Sequence, residues 1–82
     1  MKFSEKILNG AYMKRKSVQS STLLSIGYDE RKHILELQFT SGDVYQYAHV
    51  PANVYDGLLV ASSKGSYFNE HIKDQYEFEK ID

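Results

Sequence analysis

The chain has 82 residues, of which 41% are apolar and 26% are charged, so it can form one small folded domain and is not a disordered protein. It has no cysteine, which excludes a disulfide framework, thiolate metal sites and a cysteine nucleophile. The formal net charge of −1 argues against a domain that binds duplex DNA mainly through its backbone, because such domains usually carry a clear basic excess.

The first part of the chain is predicted to be an extension attached to the domain. Residues 1–12 hold few apolar side chains, and Asn9-Gly10 would end a short helix there. Charged residues interrupt the apolar ones, so no signal peptide is expected. The longest apolar run, residues 58–61, is far below the ~18–20 residues of a membrane-spanning helix. We therefore expect a loosely ordered segment 1–12, a domain over residues 13–82, and a cytoplasmic protein without membrane contact.

Alternating apolar residues predict an antiparallel hairpin with a charged four-residue loop, residues 29–32. Three apolar residues precede the loop and three follow it, each separated from the next by one other residue. A four-residue loop pairs Tyr28 with His33, so that the apolar sides of both strands meet on one face. The predicted pairs are Tyr28–His33, Ile26–Leu35 and Leu24–Leu37, and Phe39 continues the second strand on the same side.

The next hairpin decides on which side of the sheet Tyr45 and Tyr47 lie. A three-residue loop, residues 40–42, needs a left-handed backbone conformation at its last residue, and the sequence has glycine there. This loop pairs Leu37 with Tyr45 and Leu35 with Tyr47. Both tyrosines would then face the core side of the sheet, which is the arrangement that we favour.

A two-residue loop is the alternative for the same hairpin. With Ser41-Gly42 as the loop, both tyrosines would share a face with Glu36 and Gln38, in solvent. Serine is a poor first residue for the primed turns that two-residue hairpins prefer, which is why the longer loop is favoured.

Helical spacing of apolar residues follows the third strand. A proline suits the first turn of a helix, and the pattern predicts one helix over residues 51–61 and a second, capped by serine, from about Lys64 to Lys73. Tyr76 and Phe78 then alternate with acidic residues, as in a short final strand or an extended tail. The predicted fold class is α+β, with a three-stranded antiparallel meander, two short helices packed on one face and a short C-terminal strand.

Several short motifs, in this order along the chain, are similar to those of a known family. They extend from about residue 13 to residue 78, which is most of the chain. They include Ile26-Gly27-Tyr28-Asp29, Tyr45-Gln46-Tyr47, Val50-Pro51, Ser63-Lys64-Gly65 and Tyr67-Phe68-Asn69. The sequence thus resembles the KTSC domain, a family that occurs alone in bacterial and phage proteins and at the C-terminus of some lysyl-tRNA synthetases.

The resemblance implies a small domain with no settled activity, for which the synthetase context suggests RNA binding. Stand-alone members of the family typically begin close to the basic cluster, where this chain has Met13. Residues 1–12 are therefore expected to be an appended extension, or Met13 an alternative start.

Tyr45 and Tyr47 are the candidate RNA-binding residues, because two rings on one face of a strand can stack unpaired bases. In this case Lys14, Arg15 and Lys64 would contact phosphates. The alternative is that both tyrosines belong to the core, with their hydroxyl groups at its edge. Their predicted pairing with leucines favours the core interpretation.

Ser63, Lys64 and Gly65 form a candidate anion-binding site at the start of the second predicted helix. Free backbone amides and a lysine at a helix start suit a phosphate or a carboxylate. The alternative, which we favour, is that serine caps the helix and glycine allows close packing of the two helices. The spacing does not match a phosphate-binding P-loop.

No metal, cofactor or catalytic site is predicted. His33, His49 and His71 lie 16 and 22 residues apart, which is not the spacing of a metal site. No serine lies in a nucleophile elbow, and no pair of carboxylates is placed for acid–base chemistry. The sequence therefore predicts a non-enzymatic binding domain with weak affinity for single-stranded RNA or tRNA. The alternatives are a protein-interaction or self-association module, such as a homodimer, and, least favoured, an enzyme with a cleft around His49.

Overall fold

The computed structural model describes residues 13–82, and the extension predicted for residues 1–12 lies outside the described residues. The described part forms one five-stranded antiparallel sheet with the strand order β1-β2-β3-β4-β5, and two helices lie between β4 and β5 in the chain. The α+β class, the meander, the two helices and the short last strand are confirmed, and β1 is an additional edge strand. The elements are β1 (Lys16–Ser17), β2 (Leu23–Asp29), β3 (Ile34–Phe39), β4 (Val44–Tyr47), α1 (Ala52–Val60), α2 (Lys64–His71) and β5 (Phe78–Lys80).

Both helices pack on one face of the sheet, the helix face. Leu58 of α1 and Phe68 of α2 are buried there, together with Ile72 just after α2. Each such side chain stabilises the fold by roughly 1.5–3 kcal/mol, because its apolar surface is removed from water. The strands and the segment after β4 contribute the remaining core residues, Leu23, Ile26, Leu35, Leu37, Tyr47 and Val50.

The first hairpin has the predicted faces but a different register. Its loop has four residues, 30–33, and begins one residue later than predicted, because Oδ1 of Asp29 accepts hydrogen bonds from the backbone N–H groups of Arg31 (3.0 Å) and Lys32 (3.1 Å). The predicted pairs are therefore wrong by two residues, a shift that leaves the apolar side chains on their predicted face except at Leu24. The observed pairs are Tyr28–Leu35 and Ile26–Leu37.

The start of β2 departs from strict alternation. The pairing shifts between Leu23 and Ser25, where the strand has a bulge. Leu23, opposite Phe39, is fully buried, whereas Leu24 is 43% exposed. The prediction that Leu24 faces the core is wrong, because the bulge inserts one extra residue and reverses the alternation of the side chains before it.

The second hairpin has the three-residue loop that the sequence favours. The N–H of Phe39 donates to the carbonyl of Asp43 (2.9 Å), and the N–H of Gly42 donates to the carbonyl of Phe39 (2.8 Å). Gly42 has φ of 99°, a backbone conformation that is strained for residues with a Cβ atom. Leu37 pairs with Tyr45, and Leu35 pairs with Tyr47. The predicted register and the core-side position of both tyrosines are confirmed.

The helices begin where predicted and end slightly earlier. α1 follows Pro51, and α2 follows Ser63, whose hydroxyl accepts a hydrogen bond from the N–H of Ser66 (3.3 Å). After α2, the N–H groups of Ile72 and Lys73 still donate to the carbonyl of Phe68. In the part of the chain that the structure describes, neither helix is long and apolar enough to cross a membrane.

Candidate functional site

Tyr45 and Tyr47 lie on β4 below α2, so their rings face the protein rather than open solvent. Tyr47 is only 5% exposed and packs edge-on against Phe68, with the ring centroids 5.9 Å apart. Burial raises the pKa of the Tyr47 hydroxyl above its ordinary value, and the neighbouring Tyr45 and Asp74 raise it further. Tyr47 is therefore part of the hydrophobic core, whereas the half-buried Tyr45 keeps part of its ring accessible.

The five residues predicted to bind RNA do not come together. Lys14 and Arg15 lie next to β1 at one edge of the sheet, and β2 and β3 separate that edge from the two tyrosines on β4. The Nζ of Lys64 donates to the carbonyl of Ala61 at 3.1 Å, in the connection between the helices. The structure thus distributes these residues over three places, and their contact with RNA as one set stays a prediction.

The basic cluster instead lies beside two other tyrosines, in a groove of about 460 Å³ that we name the basic groove. The rings of Tyr28 and Tyr55 stack there with centroids 4.6 Å apart and planes inclined by 12°. The hydroxyl of Tyr28 donates to the carbonyl of Val50 at 2.5 Å, which fixes its ring. The groove is lined by Lys14, Arg15, Lys16, Ile26, Gly27, Tyr28 and Tyr55.

Charges of both signs border the basic groove. Lys14 and Lys16 are exposed at its edge. Burial raises the pKa of Tyr28, and the negative charges of Glu30, Asp56 and Asp29 raise it further, in that order. An anionic ligand would therefore lie at the lysine end of the groove and present a neutral, flat group to the tyrosines.

The predicted anion site has partners within the protein. The Ser63 hydroxyl caps α2 by accepting from the N–H of Ser66, and the Lys64 ammonium bonds the carbonyl of Ala61. Gly65 lies so close to Thr22 that a Cβ at this position would overlap the Thr22 hydroxyl. The serine contact fits the helix cap that the sequence favours, whereas Gly65 packs against Thr22 and not against the other helix, and an anion at this site stays a prediction.

The face away from the helices, the polar face, carries a row of polar residues across the sheet. Glu36 pairs with Gly27 on β2 and with Gln46 on β4, and Gln46 pairs in turn with Glu79 on β5. Glu36 is fully buried, and Gln46 and Glu79 are less than 9% exposed. The side-chain nitrogen of Gln46 donates to Oε1 of Glu36 at 2.8 Å. The expectation that this face is in solvent is therefore wrong for Glu36.

Arg15 provides the positive charge that Glu36 needs. Its guanidinium donates to Oε2 of Glu36 and, at 2.8 Å, to the hydroxyl of Ser25. A Cβ at Gly27 would lie 2.6 Å from the carbonyl oxygen of Lys14 and 3.0 Å from Cγ of Arg15, so only glycine lets the arginine cross here. Arg15 thus binds inside the protein, and the exposed cations of the cluster are Lys14 and Lys16.

A second cleft, of about 380 Å³, opens at the other edge of the sheet. Five aromatic rings surround it, and neighbouring centroids are 5.2–6.4 Å apart. Asp43, Lys73 and Asp74 are charged residues that also line it. We name it the aromatic cleft, and its rings belong to Phe39, Tyr45, Tyr47, Phe68 and Phe78.

The three histidines are not grouped into a metal site. Across residues 13–82, no set of three or more His, Cys, Asp or Glu side chains could hold a metal ion. His33 and His49 have left-handed backbones, with φ of 60° and 61°, and His71 packs against Tyr67 with the ring centroids 4.4 Å apart. Neither the basic groove nor the aromatic cleft is lined by His49.

Sequence reasoning missed several residues of both clefts. For the basic groove it did not pair the lysines with Tyr55, because no local pattern shows that α1 returns to the β2 edge. For the aromatic cleft it did not include Phe78, although the alternation of Tyr76 and Phe78 gave a signal for the strand. The register Tyr47–Phe78 was the missing information, since it joins segments on either side of both helices.

The family model of the KTSC domain matches residues 19–76. The chain belongs to the KTSC family. An uncharacterized protein of Stutzerimonas stutzeri is 48% identical over 71 residues, which cover 85% of this chain and 100% of that protein. The crystal structure of a KTSC domain protein from Yersinia pestis superposes with a TM-score of 0.83 at 41% identity, covering 87% of this chain and 100% of that chain.

The KTSC domain is also similar to part of a much larger protein. A lysine–tRNA ligase of Nostoc punctiforme is 36% identical over 63 residues, which cover 77% of this chain and 11% of the ligase. This chain therefore spans about a tenth of the ligase's length, in its C-terminal region. The resemblance that the sequence motifs indicated is confirmed.

Proposed function

We propose that this KTSC domain is a non-enzymatic cytoplasmic binding domain that contacts single-stranded RNA, such as an unpaired element of a tRNA. The observation that carries the proposal is the basic groove, where exposed lysines lie next to a stacked pair of tyrosines. Single-stranded nucleic acids bind to this combination, because cations contact the phosphates and aromatic rings stack on the bases. The ligase relative carries tRNA in its name and gives the proposal a biological setting.

The groove changes the residues that we assign to RNA. Lys14 and Lys16 would contact successive phosphates, and Tyr55 would offer its ring to a base, supported from behind by Tyr28. Stacking on such a ring contributes about 1–3 kcal/mol per base. Two lysines and a net charge of −1 give a weak interaction, which salt should weaken further.

The test is a titration of the full chain with a mixed-sequence single-stranded RNA, followed in an amide NMR spectrum at about 50 and 200 mM salt. We expect the shifts to concentrate at the basic groove and the affinity to fall at the higher salt. The double variant Lys14→Gln/Lys16→Gln should lower the slope of log affinity against log salt by about 1.4, since each lost phosphate contact contributes about 0.7. Tyr55→Leu should lower the affinity and leave the slope unchanged.

Lys73→Gln is the matched control, because this lysine lies at the aromatic cleft, at the opposite edge of the sheet. It should bind RNA as the unchanged protein does. The absence of shifts at either salt concentration would refute RNA binding. Shifts centred on Tyr45 and Lys64 would instead return the site to the residues that the sequence predicted.

A second candidate function is protein interaction or self-association, and an open strand edge favours it. In the described chain, β1 pairs only with residues 25–26 of β2, and Lys14 and Arg15 lie against Gly27, so the backbone of Tyr28 and Asp29 has no ladder partner on that side. An extended segment can add to such an edge through main-chain hydrogen bonds. Light scattering tests self-association: a molar mass that rises above 9.5 kDa with concentration supports it, and a constant mass refutes it.

A further inference from the structure

The aromatic cleft is preformed and lies at the edge of the sheet away from the basic groove. Tyr47 and Phe68 are almost fully buried and form its floor. Tyr45 is half-buried and Phe78 is 44% exposed, so these two rings form an accessible wall. Because each ring packs on its neighbours, the cleft does not need to be assembled by a ligand. Its volume of about 380 Å³ is near the lower end of the ~300–1,000 Å³ range of small-molecule sites.

The accessible rings of Tyr45 and Phe78, together with nearby carboxylates, make the cleft suitable for a cation. The face of an aromatic ring is the negative part of its quadrupole, so several faces around one space attract a positive group. Asp74 has a left-handed backbone with φ of 63° directly after the last turn of α2. Asp74 lines the cleft together with Tyr47, and its charge raises the pKa of that tyrosine after burial and Tyr45.

The mouth of the cleft also carries a cation. Asp43 is 3.6 Å from the ammonium of Lys80, which offsets its charge. Asp74 and Lys73 then remain as one negative and one positive group at the same mouth. Within residues 13–82, no ammonium or guanidinium lies at ion-pair distance from Asp74. A phosphate chain such as RNA would be repelled by Asp74, whereas a neutral apolar ligand would use neither of the two charges.

We propose that the aromatic cleft binds a small zwitterion with a trimethylammonium group and a carboxylate, the chemistry of a betaine. The methyl groups lie against the rings, the positive charge faces Asp74, and the carboxylate faces Lys73. Aromatic sites bind quaternary ammonium groups because the charge is spread over methyl groups that contact ring faces without strongly held water. The inference does not depend on RNA binding, since the two clefts have no lining residue in common.

The decisive comparison uses two probes of the same shape, glycine betaine and 3,3-dimethylbutanoate. The second replaces the positive nitrogen by carbon and leaves the methyl groups and the carboxylate unchanged. We expect glycine betaine to shift the amide NMR signals of Tyr45, Asp74 and Phe78 and to bind at least about tenfold more tightly than its carbon analogue. Equal binding of the two probes, or no shift with either, would refute the cation site.

Two variants test the contacts of the trimethylammonium group, and a third variant is the control. Asparagine tolerates the left-handed backbone of this position, so Asp74→Asn should keep the fold and weaken the binding of glycine betaine. It should not weaken the carbon analogue, because Asp74 repels that anion. Phe78→Leu should weaken glycine betaine at least about threefold, because it removes an accessible ring face. Asp56→Asn on α1 is the matched control and should bind as the unchanged protein does.

Lys73→Gln tests the carboxylate half of the ligand. It should reduce the affinity for glycine betaine to that for choline, which has the trimethylammonium group but no carboxylate. If choline binds the unchanged protein as tightly as glycine betaine does, the zwitterion is the wrong ligand class. The amide spectrum of each variant without ligand shows that its fold is intact, so a lost affinity can be assigned to the cleft.

Discussion

The two faces of the sheet are both buried, but different interactions hold them. The helix face is covered by apolar side chains such as Leu58 and Phe68, whose packing is not directional. The polar face buries Glu36 and Gln46, which are joined to each other and to Arg15 by directional bonds. The helix face can adapt to a change of shape, whereas each buried charge on the polar face depends on its own partner.

This difference explains where the two clefts can form. Across the described residues, every buried side-chain nitrogen or oxygen has a hydrogen-bond partner, so the polar face has no unused group for a ligand. Both clefts are instead at the lateral edges of the helix side, where aromatic side chains extend beyond the helices. The two hairpin loops set the strand register, and the register places the rings of the aromatic cleft.

The largest expected effect comes from breaking the charge pair on the polar face. Glu36→Gln keeps the size of the side chain but removes the carboxylate beside the Arg15 guanidinium. We expect a loss of about 3–5 kcal/mol in the free energy of unfolding, because a partly buried cation then loses its counter-charge. Chemical denaturation measures this loss.

Glu30→Gln, in the exposed loop after β2, is the control for Glu36→Gln and should change the free energy by less than about 0.5 kcal/mol. The double variant Arg15→Met/Glu36→Met should regain much of the loss, since apolar side chains need no counter-charge. A loss for Glu36→Gln as small as that of the control would show that this side chain is solvated and that the two faces do not differ.

The sequence was sufficient to predict the face on which a side chain lies wherever one local feature determined that face. Gly42 at the end of a three-residue loop set the parity of the second hairpin, so the positions of Tyr45 and Tyr47 were predicted correctly. In the first hairpin the faces were predicted correctly except at Leu24 although the pairs were not, since a shift of two residues preserves the faces and only the bulge reverses them.

Non-local pairing limited the rest of the prediction. Glu36 alternates with leucines on β3 as a solvent-facing residue would, and only Arg15, 21 residues earlier, shows that it is buried. The strand β1 has only two residues, which is too short for the alternation of apolar and polar residues that predicts a strand. For the candidate sites, Tyr28 and Tyr55 are 27 residues apart in sequence, so local periodicity cannot show that their rings stack.

A smaller effect tests the helix face at the bulge of β2. Leu23→Ala should lower the free energy of unfolding by about 3 kcal/mol, because it leaves a cavity under the helices. Leu24→Ala, one residue later, should lower it by less than about 1 kcal/mol, since its side chain is 43% exposed and lies outside the core. The two variants remove the same atoms, so equal losses would show that β2 has no bulge and that the core extends to Leu24.

The smallest effect is a loss of stability at alkaline pH that originates at Tyr47, where the helix face meets the aromatic cleft. Its pKa is raised above the ordinary value of 10 by burial first and then by Tyr45 and Asp74. Above pH 10 the unfolded chain therefore releases a proton that the folded chain still holds, so the free energy of unfolding falls as the pH rises, by up to about 1.4 kcal/mol per pH unit. Below pH 10 both states hold the proton, and this contribution does not change with pH.

Tyr47→Phe should therefore make the alkaline decrease in melting temperature shallower than in the unchanged protein. Tyr28→Phe is the contrasting variant, because it also removes the hydrogen bond to the carbonyl of Val50 and should lower the melting temperature at pH 7. An alkaline decrease of the same steepness with and without the Tyr47 hydroxyl would mean that this group is open to water. Water would then cover the Tyr47 ring at the floor of the aromatic cleft, and a trimethylammonium group could not contact that ring without displacing the water.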